Sequence, residues 1–231
     1  MTNLRKMFSG WYILLRQTRI QKISPSKWNR EKLIGPFRLL VHPVSGFSDM
    51  KFEGMSSFFI ANVLMLLYIF QQAAAEAGTG WLFNPGGEGI SIPFLLVRTL
   101  GVIVLWTVCN WAMCTLTNGE GKMREIWIAM CYALLPSIVL GFIGTVVSRL
   151  LSLDEGIIYG FLQSFGTAWT LLLVFLGMMI MHQYTVLKTV LSVLYTLVCA
   201  VLAIFLIFLF FTIAQQLYGF IAGLAQELSY R

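Results

Sequence analysis

"REIWIAMCYALLPSIVLGFIGTVVSR", residues 124–149, decides the fold. Between its two arginines, Ile126–Ser148 carries no Asp, Glu, Lys or Arg. A bilayer-spanning helix needs about 20 mainly apolar residues, so this stretch reads as a membrane span. A proline stands in its middle. Pro136 has no N–H to donate to the carbonyl of Tyr132, and its ring crowds the preceding turn. In lipid, neighbouring helices or hydroxyl side chains can satisfy such a freed carbonyl. The reading is therefore a helix kinked near Cys131–Tyr132, packed against other helices.

Working outward, Gly54–Ala75, Ile157–Met181 and Val190–Ile213 are equally free of charge, and Ile90–Thr117 carries only Arg98. The chain has 231 residues, 58% hydrophobic and 11% charged, with mean hydropathy +0.79. Soluble domains hold about 25% charged residues. The expected fold is all-α and polytopic, with five transmembrane helices at about 54–75, 90–117, 126–148, 157–181 and 190–213. A basic arm, residues 1–53, precedes the membrane domain of residues 54–215, and an external tail, 216–231, follows it, either continuing the fifth helix or folding along the outer surface. No secretory signal peptide is expected, because Arg16, Arg19 and Lys22 interrupt the first apolar stretch.

Lysine and arginine collect on the cytoplasmic side of short loops. Residues 1–53 hold ten of them, Lys122, Arg124 and Lys188 add three, and only Arg149 and Arg231 fall on the other side. The N-terminus is thus expected in the cytoplasm and the C-terminus outside. The net charge of +6 is a topology signal, which speaks against a nucleic-acid partner.

Residues 4–16, "LRKMFSGWYILLR", fit a helix with Leu4, Met7, Phe8, Trp11, Leu14 and Leu15 on one face and Arg5, Lys6 and Arg16 on the other. Such a basic amphipathic helix suits an anionic membrane surface. Its alternative is to pack on the protein's own spans. Pro25, Pro36 and Pro43 punctuate the rest of the arm, and Val44–Glu53 is expected as a short interfacial helix.

Within the spans, Ser137, Gly141 and Thr145 repeat every four residues, as do Gly160, Ser164 and Ala168. Small residues at this spacing let backbones approach closely, so the third and fourth spans are expected to pair along these two stripes, with Leu173 facing lipid. Arg98 lies about 10 Å from the outer end of its span and has two readings: a functional intramembrane charge, or a side chain snorkelling to the interface. Asn62, Asn110 and Gln163 read as interhelical hydrogen-bonders.

Catalytic signatures are missing. No HExxH, GxSxG, Walker or dinucleotide pattern occurs. The two histidines, His42 and His182, are placed at the cytoplasmic surface with no Ser or Cys partner in view. Cys109, Cys114, Cys131 and Cys199 lie inside spans without CxxC spacing and read as small buried residues rather than disulfides or metal ligands. No cofactor is implied. Proton-coupled transport would call for acidic groups or histidines inside spans, and none is placed there.

Two segments carry a resemblance. "HPVSGFSDMKFEG", residues 42–54, is similar to the proline-then-phenylalanine segment before the first span of the Yip family, the Ypt/Rab-interacting membrane proteins. "LTNGEGKMREIWIAMCYALLPSIV", residues 116–139, resembles that family's polar glycine loop followed by a helix with Tyr and Pro: Gly119, Gly121, Lys122, Arg124, Tyr132 and Pro136. The resemblance covers residues 36–215. It implies five spans, a cytoplasmic arm and an external C-terminus. Eukaryotic relatives bind prenylated small GTPases. Gly35–Phe37 matches their glycine-proline-phenylalanine without the acidic-aromatic residues before it, which points to the bacterial branch and a bacterial cytoplasmic membrane. The expected role is a non-enzymatic membrane scaffold or adaptor. Its partners would be the bilayer, other membrane proteins or a second copy. The alternative is a small transporter, lipid-handling protein or accessory subunit of a membrane transport system.

Overall fold

The computed structural model describes residues 35–80, 82–84 and 91–230. The amphipathic stretch with Arg5, Lys6, Trp11 and Arg16 lies outside them. The described residues are helical, with no strand. Five helices are long and apolar enough to cross a membrane: Phe58–Gly78, Ile92–Leu116, Met123–Val147, Gly156–Met181 and Val186–Glu227. They are called the first to fifth spans below. The end of the bundle that carries the short helix Pro43–Phe52 is its proximal end, and the opposite end is distal.

The third span is the core. Two thirds of its apolar window is buried, more than in any other span. It packs against the first, second and fourth spans. Tyr132 is fully buried, and its hydroxyl accepts the backbone N–H of Ser57 at 3.3 Å. Ser57 is the residue before the first span, so the tyrosine satisfies one of the donors that a helix start leaves open. Trp127 Nε1 donates to Asn62 Oδ1 at 3.1 Å, a second tie between these two helices.

The helix of the third span is interrupted at Leu134, between Met123–Ala133 and Leu135–Val147. The Leu134 N–H turns to Cys131 O at 3.4 Å, a tighter i→i−3 closure. Pro136 then sits in the first turn of the second half, where a missing N–H costs nothing. The break is nearer the proline than the expected Cys131–Tyr132 kink. Just beyond it, the Ser137 hydroxyl meets Thr170 Oγ1 of the fourth span at 2.8 Å.

The third and fourth spans are neighbours, but not along both expected stripes. Gly160, Ser164 and Ala168 are exposed, and a Cβ at Gly160 would have open space around it. The fourth span instead turns Gly166, Thr170, Leu173 and Gly177 inward. Leu173, expected in lipid, is completely buried. On the third span, Ser137 faces the fourth, whereas a Cβ at Gly141 would meet the Gln71 amide of the first span at 2.3 Å. Thr145 lies against Gly78, also of the first span. The helix faces differ because lipid and protein interior are both apolar, so small residues alone do not say which stripe is covered.

Proximally, Pro43–Phe52 packs across the fourth span. Phe47 is fully buried, its ring fitting against Gly177, where a Cβ would come to 3.0 Å. Arg38 pairs with Asp49 at 3.1 Å, and Lys51 with Glu125 at 2.6 Å.

Distally, Glu76 falls within the last turn of the first span, a correction to the expectation of no acidic group inside a span. It pairs with Arg98 at 2.5 Å. Arg98 sits in a π-helical turn, Val97–Gly101, and remains partly exposed. The ion pair neutralises an otherwise expensive intramembrane charge.

The fifth span is the longest of the five. Its helix continues without a break through Val186–Ser229, 44 residues, so the stretch read as a tail, 216–231, prolongs the helix as far as Ser229. Only its first half packs, mainly on the second span, through buried Thr189, Ser192 and Thr196.

Candidate functional site

Two polar places stand out in this apolar bundle. The first is at the proximal end, where the second span meets the loop before the fifth. Thr107, Asn110 and Cys114 form a buried stripe on the second span, at spacings that keep them on one helix face. His182 ends the fourth span and turns its ring between them. Its Nε2 lies 2.8 Å from Asn110 Oδ1, and its Nδ1 lies 3.0 Å from Cys114 Sγ. Asn110 Nδ2 donates to Thr196 Oγ1 of the fifth span at 3.2 Å.

This chain of bonds fixes the tautomer. Asn110 Oδ1 can only accept, so Nε2 carries the proton, Nδ1 accepts, and the Cys114 thiol donates to it. Cys114, His182 and Asn110 are each at most 1% exposed. Burial above all, with the Lys51 charge next, holds the imidazole down to about 4; Glu125 opposes and Lys188 adds to the depression. The ring is neutral at pH 7. His182 is therefore neither at the surface nor without a cysteine partner, and both expectations are corrected. His42 is exposed, at the start of Pro43–Phe52.

The polar glycine loop covers this site. A Cβ at Gly119 would lie 2.2 Å from Tyr184 Oη and 2.5 Å from Cys114 Sγ, and one at Gly121 would lie 2.3 Å from His182 Nδ1. At such distances a side chain fits only if the loop or the Tyr184 and His182 rings shift, so glycine at both positions lets the loop lie this close. Tyr184 Oη meets Thr117 Oγ1 at 2.6 Å, its ring stacks on His182 at 5.1 Å, and Lys188 Nζ lies over it at 4.3 Å.

The order thiol, imidazole, amide is the order of a nucleophile, its base and an orienting group. Here, however, Cys114 is buried beneath the glycine loop. What the arrangement does is join the second span, the glycine loop, the end of the fourth span and the fifth span in one satisfied network. Sequence reading missed it because 68 residues separate Cys114 from His182. The available signal was the spacing of Thr107, Asn110 and Cys114 on one span and Thr189, Ser192 and Thr196 on another. Among the described residues, no group of three or more His, Cys, Asp or Glu side chains converges as a metal site.

The second place is a cavity of about 230 Å³ between the first, third and fourth spans. Gln71, Ser137, Gly141, Gln163 and Thr170 contribute to its walls. It adjoins the break at Pro136, since Ser137 is both the residue after the proline and part of the lining.

Of the residues picked out from the sequence, Ser137 and Gly141 thus meet at the cavity. Tyr132 and Pro136 shape the core beside it. Arg98 stands apart, at the distal end. Comparison with known proteins turns on the same elements. A family model described as the Yip1 domain matches residues 37–225. The chain belongs to the Yip1 domain family. The match runs from the segment before Pro43–Phe52 into the far half of the fifth helix, and it takes in both polar places. In this Yip1 domain, the glycine loop and the Tyr132–Pro136 segment have separate structural work: the loop seals His182, and the tyrosine ties the first span to the third. No curated protein and no solved structure matches the chain.

Proposed function

We propose that this integral membrane protein is a non-enzymatic scaffold, held in a bacterial cytoplasmic membrane with its N-terminus in the cytoplasm and its C-terminus outside. The fifth helix carries the proposal. At 1.5 Å per residue its 44 residues reach about 66 Å, roughly twice the hydrocarbon thickness of a bilayer. Every residue from 204 to 227 is exposed. The far part remains apolar, with Leu217, Phe220, Ile221 and Leu224 all at least half exposed. An apolar helix extending past the lipid needs a protein surface to cover it. The orientation rests on the lysine and arginine asymmetry, and the bacterial setting on the incomplete eukaryotic motif at Gly35–Phe37.

The test compares the full chain with a chain ending at Ala214, each crosslinked in native membranes and purified. A specific membrane-protein adduct on the full chain, lost from the truncated one while both insert equally, supports the scaffold. Identical adduct patterns refute it.

The second reading, a lipid-handling or transport-accessory protein, is favoured by the cavity beside the Pro136 break, because interrupted spans often border binding sites.

A further inference from the structure

The cavity lies in the part of the bundle that faces hydrocarbon, yet its lining is polar. Tyr68, Gln71 and Gln72 come from the first span, Ser137 from the third, and Gln163, Thr167 and Thr170 from the fourth. No charged side chain lines it. Gln71 is only 3% exposed, and its Oε1 has no hydrogen-bond partner. Empty protein cavities are apolar, and a buried polar group without a partner is costly. A polar space of this volume matches about eight waters at roughly 30 Å³ each, or one small hydroxylated group.

The walls restrict the occupant. Three amides and several hydroxyls offer donors and acceptors together, which suits vicinal hydroxyls. With no cation in the lining, a phosphate or carboxylate would be buried unpaired, at high cost. At the distal end, Arg98 is already engaged by Glu76, and Arg149 donates to the Gly78 carbonyl. The opening faces sideways: Thr167 and Leu171, on the rim, are exposed on the outer surface of the fourth span. Gly141 leaves room for the Gln71 amide, which lies where a Cβ would be, 2.3 Å from Nε2.

We propose that this cavity binds an uncharged, glycerol- or sugar-like polyhydroxyl group, presented from the bilayer as the headgroup of a neutral lipid. The inference stands independently of the scaffold reading, since it uses no residue of the fifth helix.

The test uses the full chain reconstituted in vesicles of phosphatidylethanolamine and phosphatidylglycerol with a trace of diacylglycerol carrying a photoactivatable group near its glycerol. Light should label peptides of the first, third or fourth span that line the cavity, and excess plain diacylglycerol should compete. Gln71→Leu should cut labelling about three- to tenfold, the loss expected for one buried hydrogen bond, and Thr167→Leu, which puts an apolar side chain in the exposed part of the lining, about threefold. Gln71→Leu should melt no lower than the parent, because it removes an unpartnered amide rather than a bond. Thr167→Leu alters an exposed position and keeps the test valid if the first variant fails to fold. Competition by free glycerol as strong as by diacylglycerol would support the same chemistry with a soluble source. Labelling that neither substitution changes, or that is equal with a phosphatidylglycerol probe, overturns the proposal.

Discussion

Cys114 and His182 stand 68 residues apart in sequence and 3.0 Å apart in space, sulfur to Nδ1. The contact closes a buried network that also holds Asn110 and Thr196. Removing the ring leaves Asn110 Oδ1 without a partner and the Cys114 thiol with only its longer contact to Gly121 O, at 3.7 Å. His182→Ala should therefore destabilise the protein by about 2–4 kcal/mol, seen as a lower melting temperature in detergent. An unchanged melting temperature would show that the network contributes little.

The same ring gives a pH dependence with a definite sign. Unfolded, the imidazole takes a proton near pH 6.5; folded, only near 4. Between these values the unfolded chain binds more protons, so stability falls as pH drops. The contribution is complete above pH 6.5 and is lost toward pH 4, amounting to about 3 kcal/mol at most. His182→Gln should flatten this part of the stability curve. Equal acid sensitivity in both proteins would contradict the assignment.

Glycine substitutions separate the two faces of the fourth span. Gly177 meets the Phe47 ring, whereas Gly160 meets nothing within 4 Å. Gly177→Leu should displace Pro43–Phe52 and cost about 2 kcal/mol or more. Gly160→Leu should be within about 0.5 kcal/mol of the parent. Thermal unfolding of both variants in the same detergent decides this, and equal losses would mean the faces are assigned wrongly.

Gly121 tests why the glycine loop has its composition. Its Cβ position lies 2.3 Å from His182 Nδ1, so Gly121→Ala must push the loop or the ring aside, at about 1–3 kcal/mol. Opening the seal should also make Cys114 reactive to a maleimide that leaves the parent unmodified. A Gly121→Ala protein with parental stability and an inert thiol would show that the loop does not close the site.

The limits of sequence reading in this chain are physical. The five spans were legible because hydrocarbon demands long uncharged runs, and Tyr132 with Pro136 marked the family. The fourth span carries two small-residue stripes, Gly160–Ser164–Ala168 and Gly166–Thr170–Gly177, and in lipid only packing distinguishes them. The Glu76–Arg98 pair was hidden because the first span runs three residues farther than its charge-free stretch, to Gly78. The His182 network joins four distant segments; the polar spacings on the second and fifth spans mark two of them, but no local pattern brings His182 to them. Beyond Ile213 the sequence allowed either a continuing helix or a surface segment, because Gln215 and Gln216 are polar but do not break a helix.

The scaffold account rests on what covers the far half of the fifth helix. The direct measurement places a photoreactive residue singly at Leu206, Ile221 or Leu224 of the full chain in native membranes. The account predicts lipid adducts at Leu206 and a discrete protein adduct at Ile221 and Leu224. Lipid adducts alone at all three positions would contradict it.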